Sequence, residues 1–138
     1  MPTQVSAAAA ANNAYKTLGA YVRQFDVPVD AVVTAGTDDI ECLPIFAGET
    51  VLDVVIVPIG DMDSGGAALR FTVGDGTTAA KYLAAIDPGA GSGDVAFRAV
   101  AGLGSAYTAD DKIVLTASTP ATTAAAGTVR VIVTLQAE

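Results

Sequence analysis

The sequence predicts an all-β fold, a sandwich or barrel preceded by an N-terminal arm, and three observations carry that prediction. Runs rich in β-branched and aromatic residues recur at roughly 8–14-residue spacing, separated by Gly, Pro and Asp clusters, which leaves little room for helices. Near the C-terminus Val129, Val131, Val133 and Leu135 alternate with Thr128, Arg130 and Thr134, the period of a half-buried strand that only Ile132 interrupts. At 138 residues, 51% hydrophobic and 16% charged, the chain suits one domain, with an Ala-, Gly- and Thr-rich surface that favours being covered by neighbours.

Residues 1–16 read as the arm, and 17–138 as the single β domain. The arm places Ala7 to Ala11 before Asn12 and Asn13 and has neither helix caps nor a wide apolar stripe. An extended path across a neighbour, disorder and a short helix all remain open to it, ranked in that order.

The spacing then predicts strands at Thr17–Phe25, Ala31–Ala35, Asp39–Ile45, Val51–Ile59, Ala67–Val73, Lys81–Ile86, Val95–Val100, Lys112–Ser118 and Thr128–Leu135, nine as an upper count. In Ala67–Val73, Leu69, Phe71 and Val73 face one way and Arg70 and Thr72 the other, so one face is buried. Val51–Ile59 is apolar on both faces except at Asp53 and Pro58, which predicts a cover on each side and places Pro58 at an edge or bulge. Gly65-Gly66, Gly74-Asp75-Gly76, Pro88 to Gly93 and Gly102 to Ser105 read as turns, and Thr119 to Ala126 as a mobile surface loop.

Charge and cysteine content exclude several functions. Seven cations against 15 acids give a net charge of −8, which repels nucleic acid and anionic lipid, and no apolar run approaches the ~20 residues of a membrane span. The expected partners therefore include neither nucleic acid nor membrane. Cys42 is the single cysteine, so no intrachain disulfide or thiolate cluster forms, and assembly in a cytoplasm is expected. Beside Ile40, Leu43 and Ile45 it reads as a small core hydrophobe.

Motifs that point to chemistry fail on inspection. Gly74 to Ala79 fits a relaxed dinucleotide fingerprint, but only Ala80 to Ile86 follows before Asp87-Pro88-Gly89, too short for a crossover helix. Asp61 to Gly66 opens like a calcium loop, yet its twelfth position is Thr72, not the required Glu. Asp38-Asp39 and Asp110-Asp111 are adjacent on extended chain, point to opposite faces and cannot share a substrate. Thr108 to Asp111 reads as a turn entering a strand. Histidine is absent and no Gly-x-Ser-x-Gly elbow occurs, so no enzyme, cofactor or metal site is expected. Tyr15, Tyr21, Tyr82 and Tyr107 are the exposed candidates for a sugar platform, with core or interface tyrosines preferred as the explanation.

The stretches Leu52-Asp53-Val54, Leu69 to Thr77, Tyr82-Leu83, Tyr107 to Thr116 and Ala126 to Val131 together resemble the small virion structural proteins of tailed bacteriophages, and above all their capsid decoration, or cement, proteins. The resemblance covers about two-thirds of the chain. It implies a jelly-roll-like antiparallel β-sandwich on the outer surface of the virion head. There a homotrimer at threefold and quasi-threefold positions would bind the major capsid protein and lock the shell. The arm supplies the candidate contact residues, Thr3, Gln4, Asn12, Asn13, Tyr15 and Lys16. The alternative is a tail or fibre module that recognises a host surface or carbohydrate.

Overall fold

A computed structural model describes residues 19–30, 39–60, 62–63, 68–87, 96–99 and 101–137. Eight strands run through them: β1 (Ala20–Val29), β2 (Asp39–Ile45), β3 (Glu49–Ile59), β4 (Arg70–Gly74), β5 (Leu83–Ile86), β6 (Phe97–Arg98), β7 (Asp111–Thr119) and β8 (Gly127–Ala137). The expected strand at Ala31–Ala35 and the whole arm, including Thr3, Gln4, Asn12, Asn13, Tyr15 and Lys16, lie outside the described residues.

The strands form two antiparallel four-stranded sheets, ordered β1-β8-β3-β6 and β2-β7-β4-β5. Every connection except β4 to β5 crosses from one sheet to the other, which is the jelly-roll arrangement of two interlocked Greek keys. The all-β sandwich expected from the sequence is the fold of this chain.

Alternation fills the space between the sheets. Val129, Val131, Val133 and Leu135 of β8 and Val51, Val54 and Ile56 of β3 meet Phe71 and Val73 of β4 and Ile113, Leu115 and Ala117 of β7, all buried. Non-polar burial on this pattern is the main stabilising term of the sandwich, at roughly 25 cal/mol per Å² of apolar surface.

Three departures from regularity follow from local chemistry. Leu52 is an extra residue in β3, because Val51 pairs with Leu135 while Asp53 pairs with Thr134. Pro58 pairs with Val129 in a stretch that the two-residue β6 does not reach, so its missing N–H leaves no gap in a ladder, as the sequence required of an edge. Gly74 cannot carry a side chain, since a Cβ there would lie 2.0 Å from the Thr78 carbonyl oxygen.

Candidate interaction surface

The described residues contain three buried polar or charged side chains, Glu49, Asp63 and Asp75, and all three are carboxylates that fasten loops. Glu49 opens β3 and accepts both guanidinium nitrogens of Arg23 on β1, at 2.6 and 2.7 Å, together with the Phe46 N–H at 2.6 Å and the Tyr21 hydroxyl. Burial opposes its charge, but these donors outweigh burial and hold the carboxyl below its ordinary range. Arg23 also lies 4.8 Å from the centre of the Phe46 ring and donates to the Pro44 carbonyl at 3.1 Å, tying β1 to the end of β2.

Asp63 gathers four backbone N–H groups: Ala68 at 3.0 Å, Leu69 at 3.2 Å, Thr122 at 3.0 Å and Thr123 at 2.9 Å. The Thr123 bond leads, burial opposes, and the remaining bonds bring its pKa down to about 2. One correction follows: the segment read as a mobile loop, Thr119 to Ala126, is fastened through Thr122 and Thr123, and its first residue closes β7. The acid of the calcium-like stretch directs its oxygens at N–H donors.

Asp75 sits in the turn after β4. Its Oδ1 accepts the N–H groups of Thr77 at 2.9 Å and Thr78 at 2.7 Å, and its Oδ2 accepts Tyr107 Oη at 2.7 Å and Lys81 Nζ at 3.2 Å. Burial opposes this charge too, yet the Tyr107, Thr78, Thr77 and Lys81 donors bring the pKa to about 2. Tyr107 Oη in turn meets Tyr82 Oη at 2.5 Å, and burial, the hydrogen bond to Tyr82 and the Asp75 carboxylate push the Tyr107 phenol far up. Burial likewise pushes Tyr82 up to about 12. The Gly-Asp-Gly segment is therefore an internally satisfied turn, as the short span after it required.

The tyrosines are not a platform. Tyr82 is 1% exposed, Tyr21 and Tyr107 are half-buried and packed against the core, and Tyr15 lies outside the described residues. Among the described residues the exposed aromatics are instead Phe25 and Phe46, which the sequence reading did not single out. Cys42 is buried in the core, and burial pushes its thiol up to about 12, which makes it inert at neutral pH.

A hollow of about 350 Å³ on the outer face of the β2-β7-β4-β5 sheet is lined by Asp39, Glu41, Asp75, Thr77, Lys112 and neighbours. Lys112 Nζ spans it to Glu41 at 2.5 Å, and no group of three potential metal ligands occurs among the described residues.

The opposite outer face, on the β1-β8-β3-β6 sheet, has the anatomy of a contact surface. Val55 lies directly across from Ile132, so the residue that broke the alternation of β8 joins the outward row of β3. Val57 and Ile59 extend this row, all half-buried, while Leu52 and Val22 are exposed beside it. Ion pairs flank the apolar centre: Asp26 with Arg130 at 2.8 Å on one side and Asp53 with Arg98 at 3.2 Å on the other. An apolar centre within a charged rim is the layout of protein interfaces. Among the described residues no second layer covers this face.

No protein-family model matches the chain, and no curated protein matches it significantly. Solved structures do. A chain in the cyanophage Pam1 capsid asymmetric unit is 25% identical, with a TM-score of 0.75 over 88% of this chain and 87% of that one. A chain in the capsid of Ralstonia phage GP4 is 20% identical, with a TM-score of 0.70 over 88% and 86%. A chain in the acid-stable capsid of Helicobacter pylori bacteriophage KHP30 is 14% identical, with a TM-score of 0.58 over 83% and 86%. The last two establish likeness of fold; the first adds likeness of sequence across nearly the whole length.

Proposed function

We propose that this chain is a capsid decoration protein that binds the outside of a phage head, as trimers at threefold and quasi-threefold positions, and stabilises the shell. The likeness to the Pam1 capsid chain over 88% of the sequence carries the broader reading, a structural, non-enzymatic protein associated with a phage capsid and located in the virion. The outer face of the β1-β8-β3-β6 sheet supports the finer one, because its apolar centre and ion-paired rim suit a flat protein partner. The major capsid protein is the proposed partner, and Thr3, Gln4, Asn12, Asn13, Tyr15 and Lys16 of the arm are proposed contacts. Assembly takes place in the host cytoplasm in this reading. Many such contacts, repeated by shell symmetry, reinforce one another without any single strong site.

Quantitative mass spectrometry of purified virions tests the proposal. On the order of hundreds of copies per particle, in simple proportion to the shell subunit, is the expected result for a symmetric coat component. A handful of copies would move the chain to the tail, and none would overturn the virion reading.

A further inference from the structure

We propose that the free edge of β1 receives an added strand from a second copy of this chain, and that residues 1–18 of that copy supply it. The inference deepens the assembly reading given above and rests on it.

Four strands end the two sheets, and three of them are blunted. β2 carries a bulge at Cys42 and a proline at Pro44. β5 has four residues and a bulge in which Ala85 adopts a φ of 54°. β6 is two residues long. These are the devices by which sheet proteins keep other chains off their edges. β1 is neither short nor bulged, and its one proline, Pro28, stands next to its end: ten residues pair without a shift, from Ala20 with Gln136 to Val29 with Gly127. Among the described residues no strand flanks its other side.

The proline near its end tells which groups face outward. Pro28 stays in register with Thr128 although it has no N–H to donate, so its nitrogen side faces away from β8. By alternation the N–H groups of Val22, Gln24 and Asp26 point the same way. The side chains agree. Val22 on the outer face is 58% exposed, and Phe25 is 51% exposed although Val27 and Val29 on its own face are buried. A strand laid beside β1 would cover both, because they project to opposite faces of one edge.

Charge and length choose the occupant. The first 18 residues contain one cation, Lys16, and no acid; the remainder has six cations against 15 acids, a net of −9. The segment is thus a positive stretch of an acidic chain. Extended at about 3.3 Å per residue it reaches about 60 Å, well beyond the radius of gyration of about 14 Å expected for a domain of this length. Between Thr3 and Leu18 it has neither Pro nor Gly, and Ala7 to Ala11 offer small side chains for a narrow strip between neighbours. Folding back onto its own β1 would require a tight turn within Lys16 to Gly19, which lacks the Asn-Gly or Asp-Gly pair that such hairpins favour.

Sedimentation velocity of the full chain over a concentration series tests this, alongside Val22→Lys, Gln24→Pro and a synthetic peptide of residues 1–18. Gln24→Pro removes an outward N–H and leaves the ladder to β8 intact; Val22→Lys changes a solvent-facing side chain and carries the test alone if the proline variant loses its circular-dichroism signature. The full chain is expected to self-associate, each folded variant to associate at least about tenfold more weakly, and excess peptide to dissociate the assembly. A full chain that stays monomeric at about 100 µM, variants that associate as tightly as the parent, or a peptide without effect would each overturn the proposal. Co-sedimentation with phage heads is read separately. Heads that still retain the variants leave the capsid reading standing, and self-association without head binding refutes only that reading.

Discussion

Replacing Asp75 by Asn keeps the shape of the turn after β4 and removes one charge from a buried network. The amide oxygen can still accept the Thr77 and Thr78 N–H groups, but an NH2 now faces Tyr107 Oη and Lys81 Nζ, both of which are donors to the native carboxylate. The native pKa of about 2, against 3.8 for an ordinary Asp, makes the charged form worth about 2 kcal/mol to the fold at neutral pH. The variant should therefore be destabilised by about 2 kcal/mol, a fall in melting temperature of about 6–8 °C for a domain of this size. Because the native pKa is depressed, this contribution is complete above the unfolded value of 3.8 and disappears as the pH falls through 2. Urea denaturation followed by circular dichroism at several pH values measures the gap between parent and variant. It should be constant from pH 7 to about 5 and close progressively below 4. A gap under about 0.5 kcal/mol at pH 7, or one that persists undiminished near pH 2, would refute the assignment of that stability to the Asp75 charge.

Other substitutions read other parts of the molecule. Arg23→Ala strips the bidentate partner from buried Glu49 and should cost about 2–3 kcal/mol in chemical denaturation; a change within experimental error would show that Tyr21 and the Phe46 N–H satisfy Glu49 alone. Thr72→Val removes a buried hydroxyl that has no hydrogen-bond partner and should raise stability by about 0.5–1 kcal/mol, visible as a higher urea midpoint. Ala85→Gly relieves a left-handed alanine on an exposed stretch of β5 and should stabilise by about 0.5–1 kcal/mol; a loss of melting temperature would count against that strain. Gly74→Ala drives a methyl group into the Thr78 carbonyl and should abolish cooperative melting or leave the chain insoluble, whereas parent-like melting would contradict the close approach.

Much of this fold was legible because its inward faces alternate. β8 and β2 fall where the alternation and the turn residues place them, and the two-faced character of β3 marked the apolar outer row that no second layer covers among the described residues. The errors have specific causes. The first strand was expected at Thr17–Phe25 but runs from Ala20 to Val29, because Asp26 and Pro28 look like breakers to a local reading. Asp26 is retained by its partner Arg130 across the sheet, and Pro28 by lying on an edge. The Thr119 to Ala126 loop looked mobile because the carboxylate that holds it lies about 60 residues earlier in the chain, in a segment chosen for its likeness to a calcium loop. Tyr82 and Tyr107 pack against the core, as the sequence reading preferred, but the hydroxyl contacts that tie them to each other and to Asp75 could not be read from it. In each case the deciding partner is distant in sequence, and composition has no access to such pairs.

The buried acids explain how a chain with so small a charged fraction can hold loops in place without an intrachain disulfide. A carboxylate can accept several donors at once, so one buried Asp or Glu fastens two segments that apolar packing alone would leave loosely related. Glu49 joins β1 to the turn before β3, Asp63 joins the segment after β3 to the one before β8, and Asp75 joins the turn after β4 to Tyr107. These fastenings sit at the ends of strands, where a sandwich is otherwise weakest, and they leave the outer face of the β1-β8-β3-β6 sheet to be shaped by Val55, Val57, Ile59 and Ile132 rather than by polar loops. A sheet face with an apolar centre would meet the proposed partner by shape, at little cost in ordering. The same design makes acid its weakness: Glu49, Asp63 and Asp75 all have depressed pKa values, so each pin releases as the pH falls through its own native value, and stability should decline together at all three strand ends. Hydrogen exchange at the amides of Phe46, Thr123 and Thr78, one reporter for each pin, would show protection falling as each carboxylate takes up its proton, for Asp63 and Asp75 as the pH passes about 2, and a pin whose amide stays fully protected well below that would owe its order to packing instead of to the carboxylate.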